Sequence, residues 1–115
     1  MCSELPTPPP AFEATAVAGT VVVVLRGEFD LTSAGFLSDR VERVRESGPR
    51  RLVFDMSQVG FMDCASARLI AGTSRWLPVG VKPAVRHPSP IVRRVLDISG
   101  GSALCELEPS ASPED

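Results

Sequence analysis

A chain of 115 residues, 43% hydrophobic and 23% charged, has the size of one globular domain with one modest core. Its formal net charge of -2 supplies no basic face of the kind that neutralises phosphates, so no nucleic-acid partner is expected. No apolar run approaches the roughly 20 residues of a membrane helix, and the opening MCSELPTPPP has neither the basic nor the apolar region of a secretory signal. No membrane association is therefore expected, and the expected location is cytoplasmic.

Residues 1–11 read as a Pro-rich, disordered tail. Residues 12–17 alternate weakly, turn at Ala18 and Gly19, and meet 20–26, where four consecutive valines strongly favour a strand. The pair predicts an antiparallel hairpin. Gly27, Glu28, Phe29 and Asp30 break the second strand. A helix follows over 33–46, with Phe36, Leu37, Val41 and Val44 at helical spacing and Ser47, Gly48 and Pro49 as its stop.

A buried strand over 51–54 ends at Asp55, and the mixed residues Met56 to Gly60 predict a turn. Phe61 and Met62 lead to Asp63, an N-cap for a helix over 64–77 with Ala65, Leu69, Ile70 and Thr73 inward and Trp76 near its end. Residues 81–86 are a further candidate for the parallel part of the sheet, with Pro83 arguing for an edge or a ragged strand. Ser89 caps and Pro90 opens a short helix over 91–98, with Ile91, Val95 and Ile98 on one stripe. Residues 103–107 make the last strand, and 108–115 an acidic, disordered tail. The order ββαβαβαβ predicts an α/β fold: a mixed sheet of about five strands, an N-terminal hairpin plus parallel strands, covered by three to four helices.

Chemistry is sparse. The lone histidine, His87, reads as a turn residue, and the chain offers no nucleophile–base pair and no Gly-rich phosphate loop. No catalytic residue, cofactor or enzyme activity is expected. Asp30 and Asp63 read as loop and cap residues rather than an acid–base pair. Cys2, Cys64 and Cys105 are odd in number and widely spaced, without a CxxC or zinc pattern, so no metal site is expected; a Cys64–Cys105 disulfide is the one pairing weighed. Cys64, Ala65 and Ser66 sit at the positive end of a helix dipole, where a small group is accessible and an added anion is favoured.

Three segments in order resemble the STAS domains, the small α/β fold of bacterial anti-sigma factor antagonists. Gly27-Glu28-Phe29-Asp30 is similar to the family's G-E-[LF]-D. The run Phe54 to Asp63, FDMSQVGFMD, is similar to D-L-S-x-V-x-F-[MIL]-D. The run Ser89 to Gly100, SPIVRRVLDISG, is similar to S-P-x-V-x-R-x-L-x-x-[ST]-G. The resemblance spans residues 20–107 and places the STAS domain at 12–107. It implies a protein that binds an anti-sigma factor with a kinase-like domain and so releases a sigma factor.

In that family the kinase phosphorylates the serine directly after the aspartate of D-S-[ST]-G, adding about −1.5 to −2 charges to the docking surface. Here that phosphosite-equivalent position is Cys64, which a serine kinase cannot use, followed by Ala65 and Ser66. The standard switch is therefore not expected, and Ser66 is the alternative phosphoacceptor. The resemblance places partner binding at Glu28, Asp30, Ser57, Phe61, Met62, Asp63, Cys64, Ala65 and Ser66; independently of it, Trp76 at a helix end reads as a contact residue. Two other readings stand beside it: a redox-responsive switch at Cys64, and a scaffold subunit of a larger signalling complex. Partner identity, stimulus and oligomeric state are not legible.

Overall fold

Val21, Val23 and Leu25 are buried while Val22 and Val24 are half-exposed, the two-residue period that commits a strand to one packed face. In the computed structural model, which describes residues 9–108, that strand is β2 (Thr20–Phe29), paired antiparallel with β1 (Ala11–Val17). The tails expected at either end lie almost wholly outside the described residues. Ala11, assigned to the first of them, instead pairs with Arg26.

The chain continues through α1 (Ala34–Glu46), β3 (Arg51–Met62), α2 (Cys64–Ala71), β4 (Ala84–Arg86), α3 (Pro90–Ile98) and β5 (Glu106–Leu107). The sheet order is β1-β2-β3-β4-β5, with every pair after the first parallel. Each parallel step moves one place the same way, so right-handed crossovers lay all three helices on one face. The core lies there: Leu25, Phe29 and Phe54 of the sheet meet Leu37, Ile70 and Leu96 of the helices, all essentially without exposure.

Three departures from expectation have physical causes. The turn expected at residues 56–60 is absent, and β3 runs on to Met62. Val24 pairs with Asp55 but Arg26 with Gln58, and Gly27 pairs with Val59 but Glu28 with Phe61. Each shift places one extra residue in β3. These two β-bulges let the strand carry polar residues outward while Met56, Val59 and Met62 stay buried. Gly27, at φ +98, supplies the backbone conformation on the partner strand, which therefore also continues through the expected break.

The stripe expected on the third helix fails at its two ends, while its middle residue Val95 is half-buried and packed against the core. Val92 and Leu96 are buried, whereas Ile91 and Ile98 are 54% and 68% exposed. Both sets have helical spacing, and the packing of Val92 and Leu96 into the core selects the one that meets the sheet; Ser89 Oγ accepts from the Val92 N–H at 3.2 Å and starts the helix. Short 3-10 turns replace the expected ends of other elements: Leu31–Ser33 before α1, Gly72–Arg75 after α2, and Gly101–Leu104 where a strand was expected. Residues 81–83 stay outside β4, as Pro83 cannot donate to a sheet ladder.

Cys64 and Cys105 are both free thiols. Burial pushes the Cys105 thiol from an ordinary 9.0 up to about 11, with Lys82 opposing weakly. The unfolded chain releases this proton near the ordinary value and the folded chain holds it longer. Stability is therefore expected to fall as pH rises from 9.0 to about 11. Chemical denaturation across that range should show the slope in the parent protein and a flatter profile in Cys105→Ala.

Candidate partner-binding surface

The two longest parallel strands end side by side, with Phe29 in register with Met62, so the loops that leave them share one edge of the sheet. After β2, Asp30 turns the chain. Its Oδ1 accepts from the Thr32 N–H at 2.9 Å and the Thr32 hydroxyl at 2.6 Å. The Asp30 N–H donates to Ser33 Oγ at 3.0 Å, and that hydroxyl donates back to the Asp30 carbonyl at 3.1 Å. The Thr32 hydroxyl above all, then its N–H, holds the Asp30 carboxyl below its ordinary range.

After β3, Asp63 plays the matching part. Its N–H donates to the Phe29 carbonyl at 2.9 Å, tying the two strand ends together, and its Oδ1 accepts from the Ser66 N–H at 2.8 Å. This is a side-chain N-cap, and it makes Cys64 the first residue of α2. The Cys64 side chain is half-buried, Ala65 is exposed, and Ser66 is only 1% exposed, its hydroxyl donating to the Phe29 carbonyl at 3.4 Å.

Between the loops lies a shallow cavity of about 320 Å³ lined by Pro9, Pro10, Glu28, Asp30, Thr32, Ser33 and Phe61. Phe61 is 42% exposed in its lining, and Leu31, in the loop that leaves β2, is 78% exposed. Gly60, the residue left over by the second bulge, makes room for Glu28, whose carboxylate lies 2.9 Å from where a Cβ would stand. Glu28, Asp30 and Asp63 form no ion pair among the described residues. The edge is thus acidic, with two exposed apolar side chains and a half-buried thiol at the positive end of a helix.

Of the residues expected here, Glu28, Asp30, Phe61, Asp63, Cys64 and Ala65 come together. Met62 and Ser66 do not reach the surface; both face the core, because the second bulge and the Asp63 cap fix their sides. Ser57 is exposed but stands apart, its N–H donating to Asp55 Oδ1 at 3.0 Å. Burial alone would raise the Asp55 carboxyl; the Ser57 N–H and hydroxyl, with His87 and Arg86 nearby, outweigh it and hold that carboxyl below its ordinary range. Trp76 lies farther off, half-buried after the last turn of α2. Pro10 falls in the stretch that composition marks as tail, yet it lines the cavity; its approach to Gly27, 3.3 Å from a hypothetical Cβ, is set by a strand pairing that composition does not encode.

Among the described residues no helix is long and apolar enough to cross a membrane, and no cluster of three or more His, Cys, Asp or Glu is placed to hold a metal.

An anti-sigma-F factor antagonist of Mycobacterium tuberculosis, RsfB, is 30% identical over 82 residues, which is 71% of this chain and 67% of that protein. The crystal structure of an anti-sigma factor antagonist from Mycobacterium paratuberculosis superposes with a TM-score of 0.76 at 26% identity, over 89% of this chain and 87% of that one. The anti-sigma factor antagonist SpoIIAA in its unphosphorylated form gives 0.70 at 26% identity, over 86% and 89%. The pattern of the STAS domain family matches residues 11–112, and the chain belongs to that family, in which its relatives include anti-sigma factor antagonists.

Proposed function

We propose that the protein is an anti-sigma factor antagonist: it binds an anti-sigma factor with a kinase-like domain and so frees a sigma factor, without catalysis of its own. The docking surface is the edge formed by Glu28, Asp30, Leu31, Phe61, Asp63, Cys64 and Ala65. The observation that carries this reading is the convergence of exposed apolar side chains and unpaired carboxylates on that edge, in a chain whose relatives bear that function. Apolar anchors supply binding area and the carboxylates select a basic counterpart.

Regulation by serine phosphorylation does not extend to this chain. Cys64 occupies the first position of α2, and Ser66 is buried and bonded to the Phe29 carbonyl. Binding is therefore constitutive with respect to the kinase. The test is calorimetry of the purified protein with its cognate anti-sigma factor, with and without ATP and with and without reductant, followed by intact mass. Binding in all conditions at unmodified mass is the expected result. Cys64→Ser should gain one phosphate and then lose binding. Phosphate on the parent chain would overturn the constitutive reading; binding only under reductant would replace it with a redox switch at Cys64. Absence of binding in every condition would sink the antagonist reading itself.

A further inference from the structure

The two edges of the sheet are finished differently. At the far edge, β5 has two residues, one of them the charged Glu106, and a short, charged edge resists pairing with another chain. The near edge is β1, with seven residues. It pairs with β2 in unbroken register along its whole length, and it holds no proline, lysine or arginine. Its one charged side chain, Glu13, is engaged at 3.0 Å with Arg26 of the neighbouring strand. Among the described residues nothing pairs with its outer side, and Val17 is 68% exposed. The hairpin turn is only Ala18 and Gly19, both at positive φ, so no hairpin loop folds back over this row of free backbone donors and acceptors.

Alternate residues of β1 face the helices. Phe12, Ala14 and Ala16, with Val21 and Val44, line an apolar cavity of about 270 Å³ between β1 and α1 that lies beside the free edge. The strand is also complementary to itself in one register. Antiparallel pairing of two copies about Ala14 sets Ala11 opposite Val17, Phe12 opposite Ala16 and Glu13 opposite Thr15. Each large side chain then meets a small one, and the carboxylate meets a hydroxyl. Centring the pair on Glu13 would oppose two carboxylates and run the strand against Pro9 and Pro10, which cannot donate. Centring it on Thr15 would set Phe12 against the turn at Ala18. Only the Ala14 register pairs the whole strand.

We propose that β1 is a homodimerisation edge, at which two copies of the chain join through antiparallel β1 strands about a two-fold axis at Ala14. The product is one continuous sheet with the helices of both copies on the same face. The axis brings the two β1–α1 cavities side by side, and Phe12 of each copy covers Ala16 of the other. A single strand pair with this flanking apolar surface lies at the small end of specific interfaces, so the dimer forms in the micromolar range. None of the residues of the docking surface is used, so the inference goes beyond the antagonist reading and stands apart from it.

Sedimentation velocity of the full chain under reductant, from about 1 to 500 µM, should show a monomer–dimer equilibrium with a Kd of about 10–100 µM. Thr15→Glu opposes a carboxylate to Glu13 of the other copy twice per dimer, and should raise Kd at least about tenfold. Thr15→Lys, at the same exposed position, opposes the other charge to Glu13 and should dimerise at least as tightly as the parent. Oxidation of Ala14→Cys with diamide should give a dimer whose bridge maps by peptide mass to position 14 of both chains, because paired strand residues lie within disulfide reach. Ala16→Cys, four residues out of step with its own copy in this register, should form no such bridge. A monomer at every concentration overturns the proposal and leaves the edge to an extended segment of another protein. A dimer indifferent to Thr15→Glu, equal losses in Thr15→Glu and Thr15→Lys, or a bridge from Ala16→Cys in place of Ala14→Cys overturns the pairing as well.

Discussion

Glutamate at position 64 is expected to weaken the complex with the cognate anti-sigma factor by about one to two orders of magnitude in Kd, with no loss of thermal stability. The fold accepts the charge because position 64 opens α2, where the helix dipole favours an anion by roughly 0.3–1 kcal/mol. The interface does not accept it. Glu28, Asp30 and Asp63 already make this edge acidic, and a partner matched to them presents basic and apolar groups at fixed places. A fourth carboxylate beside Asp63, on a side chain longer than the half-buried cysteine it replaces, must be desolvated against apolar surface, and each 1.4 kcal/mol of that cost is about tenfold in affinity. Cys64→Gln separates size from charge: it should lose less than Glu. The excess loss in Cys64→Glu should shrink between about 0.05 and 0.5 M salt, as the screening length falls below the charge separations. Equal losses in the two variants, independent of salt, would mean that steric fit alone governs position 64.

What was legible in the chain was whatever a short stretch decides for itself. The valines of β2 commit to a strand and to a buried face with no help from elsewhere, and the Ser89–Pro90 start of α3 is a capping motif read within four residues. Asp63 as the cap of α2 is of the same kind. The motifs at Gly27 to Asp30 and at Phe54 to Asp63 pointed to one edge because the strands that carry them are neighbours and parallel. The continuation of β3 past Asp55 was not legible: two bulges absorb its polar residues, and a bulge is defined by the strand opposite. The same cause hid the burial of Met62, whose side is set by the second bulge, while that of Ser66 follows from the cap geometry and the Phe29 carbonyl it meets. On α3, two apolar sets share helical spacing, and only the tertiary docking of Val92 and Leu96 chooses between them.

That dependence of the surface on strand ends can be separated from general stability by two substitutions of equal chemistry. Phe29 and Phe54 are both essentially without exposure, so truncating either to alanine should cost about 3–5 kcal/mol. Against a total of roughly 5–15 kcal/mol for a domain, each variant should remain folded at low temperature with a clearly lowered denaturation midpoint. Their effects on binding should differ. Phe54 lies mid-strand in β3, paired with Val23 and Val85, and the cavity it leaves is distant from the loops. Phe29 is the last residue of β2, and its carbonyl receives the Asp63 N–H at 2.9 Å and the Ser66 hydroxyl at 3.4 Å. Losing its ring removes the support beneath the one carbonyl that positions the start of α2. Affinity for the anti-sigma factor, corrected for the folded fraction, should change by less than about threefold in Phe54→Ala and fall by about tenfold or more in Phe29→Ala, a gap of more than roughly 0.7 kcal/mol. Equal affinity losses in the two variants would show that the loop edge holds its shape without the Phe29 anchor, and that the geometry of α2 is set by its own cap alone.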